Sequence, residues 1–156
     1  MNATTTPTPA ATTMHRTPVG DAMHPGIVAC GPAAGITEVA QLMTRGPMHC
    51  VAVVGTSDED PGHLGVRAIV SDSDLLKWAA GPRTHLPVSE LPCGQVITVT
   101  RTTSVQDAAA AMAEHAVDHV LVTEPDEHTP LGILSALDVA QVLAATNPDR
   151  PPSQEI

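Results

Sequence analysis

Apolar residues fall in two registers that recur along the chain. Ile36, Val39, Ala40 and Met43, and again Val105, Ala108, Ala109 and Met112, follow the i, i+3, i+4, i+7 spacing that lays one apolar stripe along a helix. A short extended segment precedes each helix (27–30 and 96–99), and a dense β-branched run follows it (51–54 and 120–123), as a buried strand requires. A polar turn, a strand running into 68–71 or 132–135, and a second helix over 75–80 or 139–145 complete each set. The predicted order is β-α-β-β-α, twice.

The two sets superpose. Shifted by 69 positions, Pro18-Val19 falls on Pro87-Val88, Ile27-Val28 on Val96-Ile97, Ile36 on Val105, Met43 on Met112, and Val51 and Val53 on Val120 and Val122. After Gly55 the shift becomes 64, because the first set carries an acidic loop over 56–67 that is five residues longer; Ser71 then falls on Ser135 and Asp74 on Asp138. A constant offset on either side of one loop marks an internal duplication. One such unit cannot cover both faces of its small sheet, so the expected fold is α+β with two packed repeats, over 17–82 and 83–146. The flanks, 1–16 (rich in Thr, Pro and Ala) and 147–156 (closely spaced prolines), are expected to be disordered tails.

Composition narrows the function. The net charge is −10 with seven Lys and Arg, and Trp78 is the only aromatic residue, so neither a basic groove nor a stacking platform for nucleic acid is available. No apolar run is long enough to span a bilayer, and Cys30, Cys50 and Cys93 form neither a disulfide framework nor a zinc ribbon, which fits a cytoplasmic protein. No nucleophile is paired with a base, so catalysis is not expected.

The chemistry concentrates in two copies of one stretch, 68–74 and 132–138. In each a strand ends, a Ser stands where a helix N-cap belongs, and an Asp follows three residues later. That spacing is a capping box, and it is also a place to hold a ligand: a helix start offers free N–H donors, and a carboxylate accepts from a diol.

With these residues in place, the chain resembles a tandem pair of cystathionine-β-synthase (CBS) domains, a Bateman module. The resemblance rests on the Pro-Val-x-(Asp/Glu) openings at 18–21 and 87–90, the Val-x-Val strands, and Gly132-Ile133-Leu134-Ser135-Ala136-Leu137-Asp138, which matches the family's Gly-h-x-(Thr/Ser)-x-x-Asp; it covers roughly 17–145. It implies two repeats about a pseudo-twofold axis, with two clefts that take adenine nucleotides or related adenosine compounds. Asp74 and Asp138 would accept from ribose hydroxyls, and Ser71 and Ser135 would meet a phosphate or other polar substituent. Val28, Ile97, Met48 and Val117 would sandwich the adenine, with Ile69 and Ile133 beneath the sugar.

Two departures from the family pattern matter. Ala68 replaces the motif Gly in the first copy, implying less room or a shifted strand. His49 and Asp118 hold the equivalent position near the phosphates, His49 being expected beside the first motif and Asp118 beside the second. The clefts should therefore differ, and AMP or an adenosine-like ligand is expected over a triphosphate. The implied role is a non-enzymatic regulatory module that needs no cofactor. It would form a homodimer through Trp78, Leu76 and Val142, and pass its signal to a separate, unidentified protein. Two alternatives stand beside it: a ligand-free structural or interaction module, and a metal- or redox-responsive protein using its His and Cys residues.

Overall fold

The structure is a computed structural model and describes residues 8–46, 49–56, 61–125 and 129–146. The first repeat and its leader comprise α1 (Pro9–Arg16), α2 (Val19–Ala22), β1 (His24–Pro25), β2 (Ala29–Cys30), α3 (Ile36–Thr44), β3 (Cys50–Gly55), β4 (Gly65–Ser71) and α4 (Asp72–Ala79). The second comprises a 3-10 turn (Val88–Glu90), β5 (Thr98–Thr100), α5 (Val105–His115), β6 (His119–Thr123), β7 (Pro130–Ser135) and α6 (Ala136–Ala145). The β-α-β-β-α order is as the sequence predicts, in a mixed α+β fold.

Each repeat builds one sheet on the same plan. In the first, β2 runs parallel to β3 and β3 antiparallel to β4; in the second, β5 runs parallel to β6 and β6 antiparallel to β7. The backbone bonds that follow the first turns also correspond: Ala52 N–H donates to the Val28 carbonyl and Leu121 N–H to the Ile97 carbonyl, both at 2.8 Å.

The repeats are joined reciprocally. Val19 N–H donates to the Thr103 carbonyl (2.7 Å) while Val88 N–H donates to the Ala34 carbonyl (2.8 Å). Gly20 bonds Arg101 at 2.8 Å, and Ser89 bonds Pro32 at 3.1 Å. The isolated bridges Pro18 to Ser104 and Gly35 to Pro87 exchange in the same way. When residue i of one half contacts j of the other and the counterpart of j contacts the counterpart of i, the halves are related by a twofold operation.

The segments leading into the repeats are therefore swapped. Met14 and Val19, with Ala22 and Met23, pack into the core of the second repeat around Val105, Ala108, Val120 and Leu134. Val88 and Leu91, with Leu86 and Cys93, pack into the first around Val39, Val51, Val70 and Trp78. A third cluster, Cys50, Ile69, Leu121 and Ile133, lies between the two sheets.

Two expectations are corrected here. Residues 9–16 are not part of a disordered tail: Thr8 caps α1 by accepting from Ala11 N–H at 3.3 Å, Pro9 sits in the first turn where its missing N–H costs nothing, and Met14 is buried. Trp78 is not available for a dimer contact, since it is buried and its indole N–H donates to the Pro92 carbonyl at 3.2 Å. Leu76 is 71% exposed, and Val142 is half-buried against the second core. Residues 1–7 and the tail expected at 147–156 lie outside the described residues.

Candidate functional site

Both second helices begin with the same closed cap. Ser71 Oγ accepts from Asp74 N–H (3.2 Å), and Asp74 Oδ2 accepts from Ser71 N–H (3.1 Å) and Ser71 Oγ (2.9 Å). Ser135 and Asp138 repeat this at 3.2, 2.7 and 2.7 Å. The caps position each Asp at the foot of a cleft between the repeats, with its Oδ1 left over from the capping bonds.

Those leftover oxygens differ. Asp74 Oδ1 lies 3.5 Å from the exposed Lys77 ammonium on its own helix. Asp138 is only 2% exposed, and its Oδ1 has no hydrogen-bond donor. His24 Nδ1, from the leader of the first repeat, lies 3.0 Å away but off the line of a hydrogen bond. A buried carboxylate oxygen without a donor forfeits its hydration, so it marks a position where a donating group of a ligand is favoured.

The first cleft is lined by Ile69, Ser71, Ser73, Asp74 and Lys77 from the first repeat, and by Gly94, Gln95, Val117, Asp118 and His119 from the second. The other is lined by Ile133, Ser135, Leu137, Asp138 and Gln141 from the second repeat, and by His24, His49 and Cys50 from the first, with His119 at the boundary of both. The charge pairing is thus the reverse of the sequence expectation. Asp118 accompanies Asp74, and His49 accompanies Asp138, because each cleft joins the helix start of one repeat to the strand start of the other.

Ser71, Asp74, Ile69, Val117 and Asp118 come together in the first cleft, and Ser135, Asp138, Ile133 and His49 in the second. Val28 and Ile97 do not line either cleft; both pack against the repeat cores. Met48 lies outside the described residues. Sequence reasoning missed His24, Gln95 and His119 as lining groups. His24 and Gln95 reach the clefts only through the leader exchange, and the equivalence of His119 with Cys50 was the one available signal.

The missing methyl at Gly132 has a visible purpose. Strand β1 crosses β7 there, pairing Pro25 with Gly132 and His24 with Ile133, and a Cβ on Gly132 would collide with the His24 carbonyl. In the first repeat, where Ala68 stands, the corresponding leader pairs Gly94 with Ile69, one position along. The strand is shifted, as the substitution predicts.

Burial shifts His119, Cys50 and Cys93. Desolvation lowers the His119 imidazole from its ordinary value against the opposing pull of Asp118 and Asp72. It raises the Cys50 thiol to about 11, helped by Asp72 and Asp138, and the Cys93 thiol to about 11, helped by Asp74. Thiols held so high carry little thiolate near neutrality. Among the described residues no group of three or more His, Cys, Asp or Glu is arranged to hold a metal ion, and no helix is long and apolar enough to cross a membrane.

The sequence model of the CBS domain matches residues 19–81 and 88–145. Among curated proteins there is no match. Solved structures share the fold. The CBS domain pair of protein MJ0100, in complex with 5-methylthioadenosine and S-adenosyl-L-methionine, aligns at a TM-score of 0.69 and 19% identity over 83% of this chain and 97% of that one. The CBS domain of the bacterial CNNM/CorC family Mg2+ transporter, in complex with ATP, aligns at 0.66 and 17% over 86% and 92%. Hypoxic Response Protein I, with two coordinated zinc ions, aligns at 0.58 and 26% over 80% and 98%.

Proposed function

The chain belongs to the CBS domain family, as two repeats in one polypeptide, and from that premise we propose that it is a non-enzymatic regulatory module that binds adenosine-containing, AMP-like ligands in the clefts between its repeats. The observation that carries this reading is Asp138: a buried carboxylate whose Oδ1 lacks a donor, at the foot of a cleft beside a helix start. An acceptor-only group of this kind suits the two donating hydroxyls of a ribose. Ser135 and the first N–H groups of α6 suit a polar substituent at the other end of the sugar. The nucleoside and nucleotide ligands of the structural neighbours support the same class.

The mechanism is a shift in how the repeats pack. Each cleft takes residues from both repeats, so a ligand that binds one relative packing better than another moves the population toward it. Leu76 on α4, with Leu137 and Leu143 on α6, is an exposed apolar residue through which a homodimer or a separate protein partner could read the change. The proposed setting is the cytoplasm, and no cofactor is required.

Thermal shift and calorimetry with AMP, ADP, ATP, adenosine and S-adenosylmethionine test the reading. A binding compound raises the melting temperature, and Asp74→Ala and Asp138→Ala weaken it. No stabilisation by any compound, as a ligand-free structural module would give, or undiminished binding in both variants, overturns it.

A further inference from the structure

Asp138 Oδ1 is sealed from solvent although no group donates to it, and the imidazole of His24 lies against it with Nδ1 at 3.0 Å. The two side chains differ in freedom. That of Asp138 is 1% exposed and fixed by the cap of α6, whereas that of His24 is 56% exposed. Only the backbone of His24 is tied down: it pairs with Ile133 on β7, and the next turn is held where Gly26 N–H donates to the Leu131 carbonyl at 2.7 Å. Both side chains line the second cleft. A ring free to turn thus covers a carboxylate that is not.

The first cleft has no such cover. The residue equivalent to His24 is Cys93, which packs against the first core with its thiol on the Leu91 carbonyl at 3.4 Å. The residue opposite Ile69 is Gly94, which has no side chain to bring. What the imidazole does over Asp138 depends on its proton. An imidazolium has an N–H on both nitrogens, so a small turn of the ring gives Oδ1 a charged donor. A neutral ring protonated at Nε2 sets a bare Nδ1 against the carboxylate, acceptor against acceptor, and has no reason to stay. The other titratable groups facing His24 across the cleft are His49 and Cys50 from the start of β3 and His119 from β6; β7, on which β1 lies, brings none.

We propose, resting on the adenosine reading above, that His24 is a proton-operated gate on the second cleft: the imidazolium turns onto Asp138 Oδ1 and closes it to a ligand's hydroxyls, and the neutral ring yields it. Ligand and proton then compete, so a ligand entering this cleft expels a proton from His24, and acid expels the ligand. The first cleft, without an equivalent imidazole over Asp74, lacks this gate.

Calorimetry with adenosine on the full chain, in buffers of different ionisation enthalpy, reads the gate; adenosine carries no phosphate whose own titration would intrude. Wild type is expected to release protons on binding near neutrality, and to bind at one of its sites about tenfold more weakly at about pH 5.5 than at about pH 7.5. His24→Ala and His24→Gln, altered at an exposed side chain, should keep the binding, release no proton and bind equally at both pH values. Proton release that survives in both variants assigns the effect to another group and overturns the gate. Wild-type affinity independent of pH also overturns it, as does binding lost in both variants, which would make His24 a ligand contact. Each of these leaves the adenosine reading in place. Binding of adenosine to none of the three proteins at either pH overturns both.

Discussion

His24 Nδ1 and Asp138 Oδ1 lie 3.0 Å apart across the boundary between the repeats. The carboxylate thus has two duties: Oδ2 closes the cap of α6, and Oδ1 faces the leader of the first repeat. Asp138→Ala removes both and is expected to cost about 1–3 kcal/mol, the range for a lost cap plus unpaired buried donors. Asp138→Asn, which keeps an oxygen for Ser135 N–H, should cost less than half of that. Urea unfolding of the two variants checks the order; equal losses would mean that the cap contributes little.

Gly132 is the second point where the leader constrains the other repeat. Because the His24 carbonyl occupies the space that a Cβ would need, Gly132→Ala must push β1 away from β7. We expect it to destabilise the fold by about 2–3 kcal/mol, in the range for overpacking against backbone. At the equivalent position Ala68→Gly should cost only about 0.5–1 kcal/mol, the ordinary penalty for Gly in a strand. A Gly132→Ala protein with a wild-type melting temperature would show that β1 is not held there.

Much of this was legible in the sequence, for a physical reason. The repeat offset, the helix stripes and the Ser-x-x-Asp caps are local patterns, and the second helices do start at Ser71 and Ser135. What the sequence did not disclose depends on the exchange of the leaders. Nothing local says that Met14 and Val19 pack under α5, or that Leu91 covers the core around Trp78. His49 and Asp118 stand in the clefts opposite to those expected because each cleft joins the helix start of one repeat to the strand start of the other, while Val28 and Ile97, expected beside a ligand, are half-buried against the repeat cores. The helix at 9–16 was hidden by its Thr and Pro content, which disfavours order until Met14 has a core to enter.

His119 gives the interface a pH dependence. Burial lowers its pKa in the folded state below the ordinary value of 6.5, so the unfolded chain binds the proton more readily. Its contribution is fully present above about pH 6.5 and is lost as pH falls through that value toward the folded one, at no more than about 1.4 kcal/mol per pH unit for one proton. His119→Cys, which installs the residue found at the equivalent position of the first repeat, should flatten the stability profile between pH 6.5 and 5.5. Identical slopes for wild type and variant over that interval would show that another group carries the acid sensitivity.

Ala116 ends α5 in a left-handed conformation, φ 53°, and among the described residues other than glycine it alone has a positive φ. Its N–H still reaches back to Ala113, and Val117 N–H bonds the Met112 carbonyl at 3.0 Å, so the turn is held by the helix it terminates. The left-handed well costs a residue with a Cβ about 1–2 kcal/mol. Glycine avoids that cost but gives back about 0.5–1 kcal/mol in chain entropy. The balance favours Ala116→Gly by about 0.5–1 kcal/mol, read as a higher urea midpoint with an unchanged m-value. A lower midpoint would show that the methyl, which borders the first cleft beside Val117 and Asp118, packs well enough to outweigh its strain.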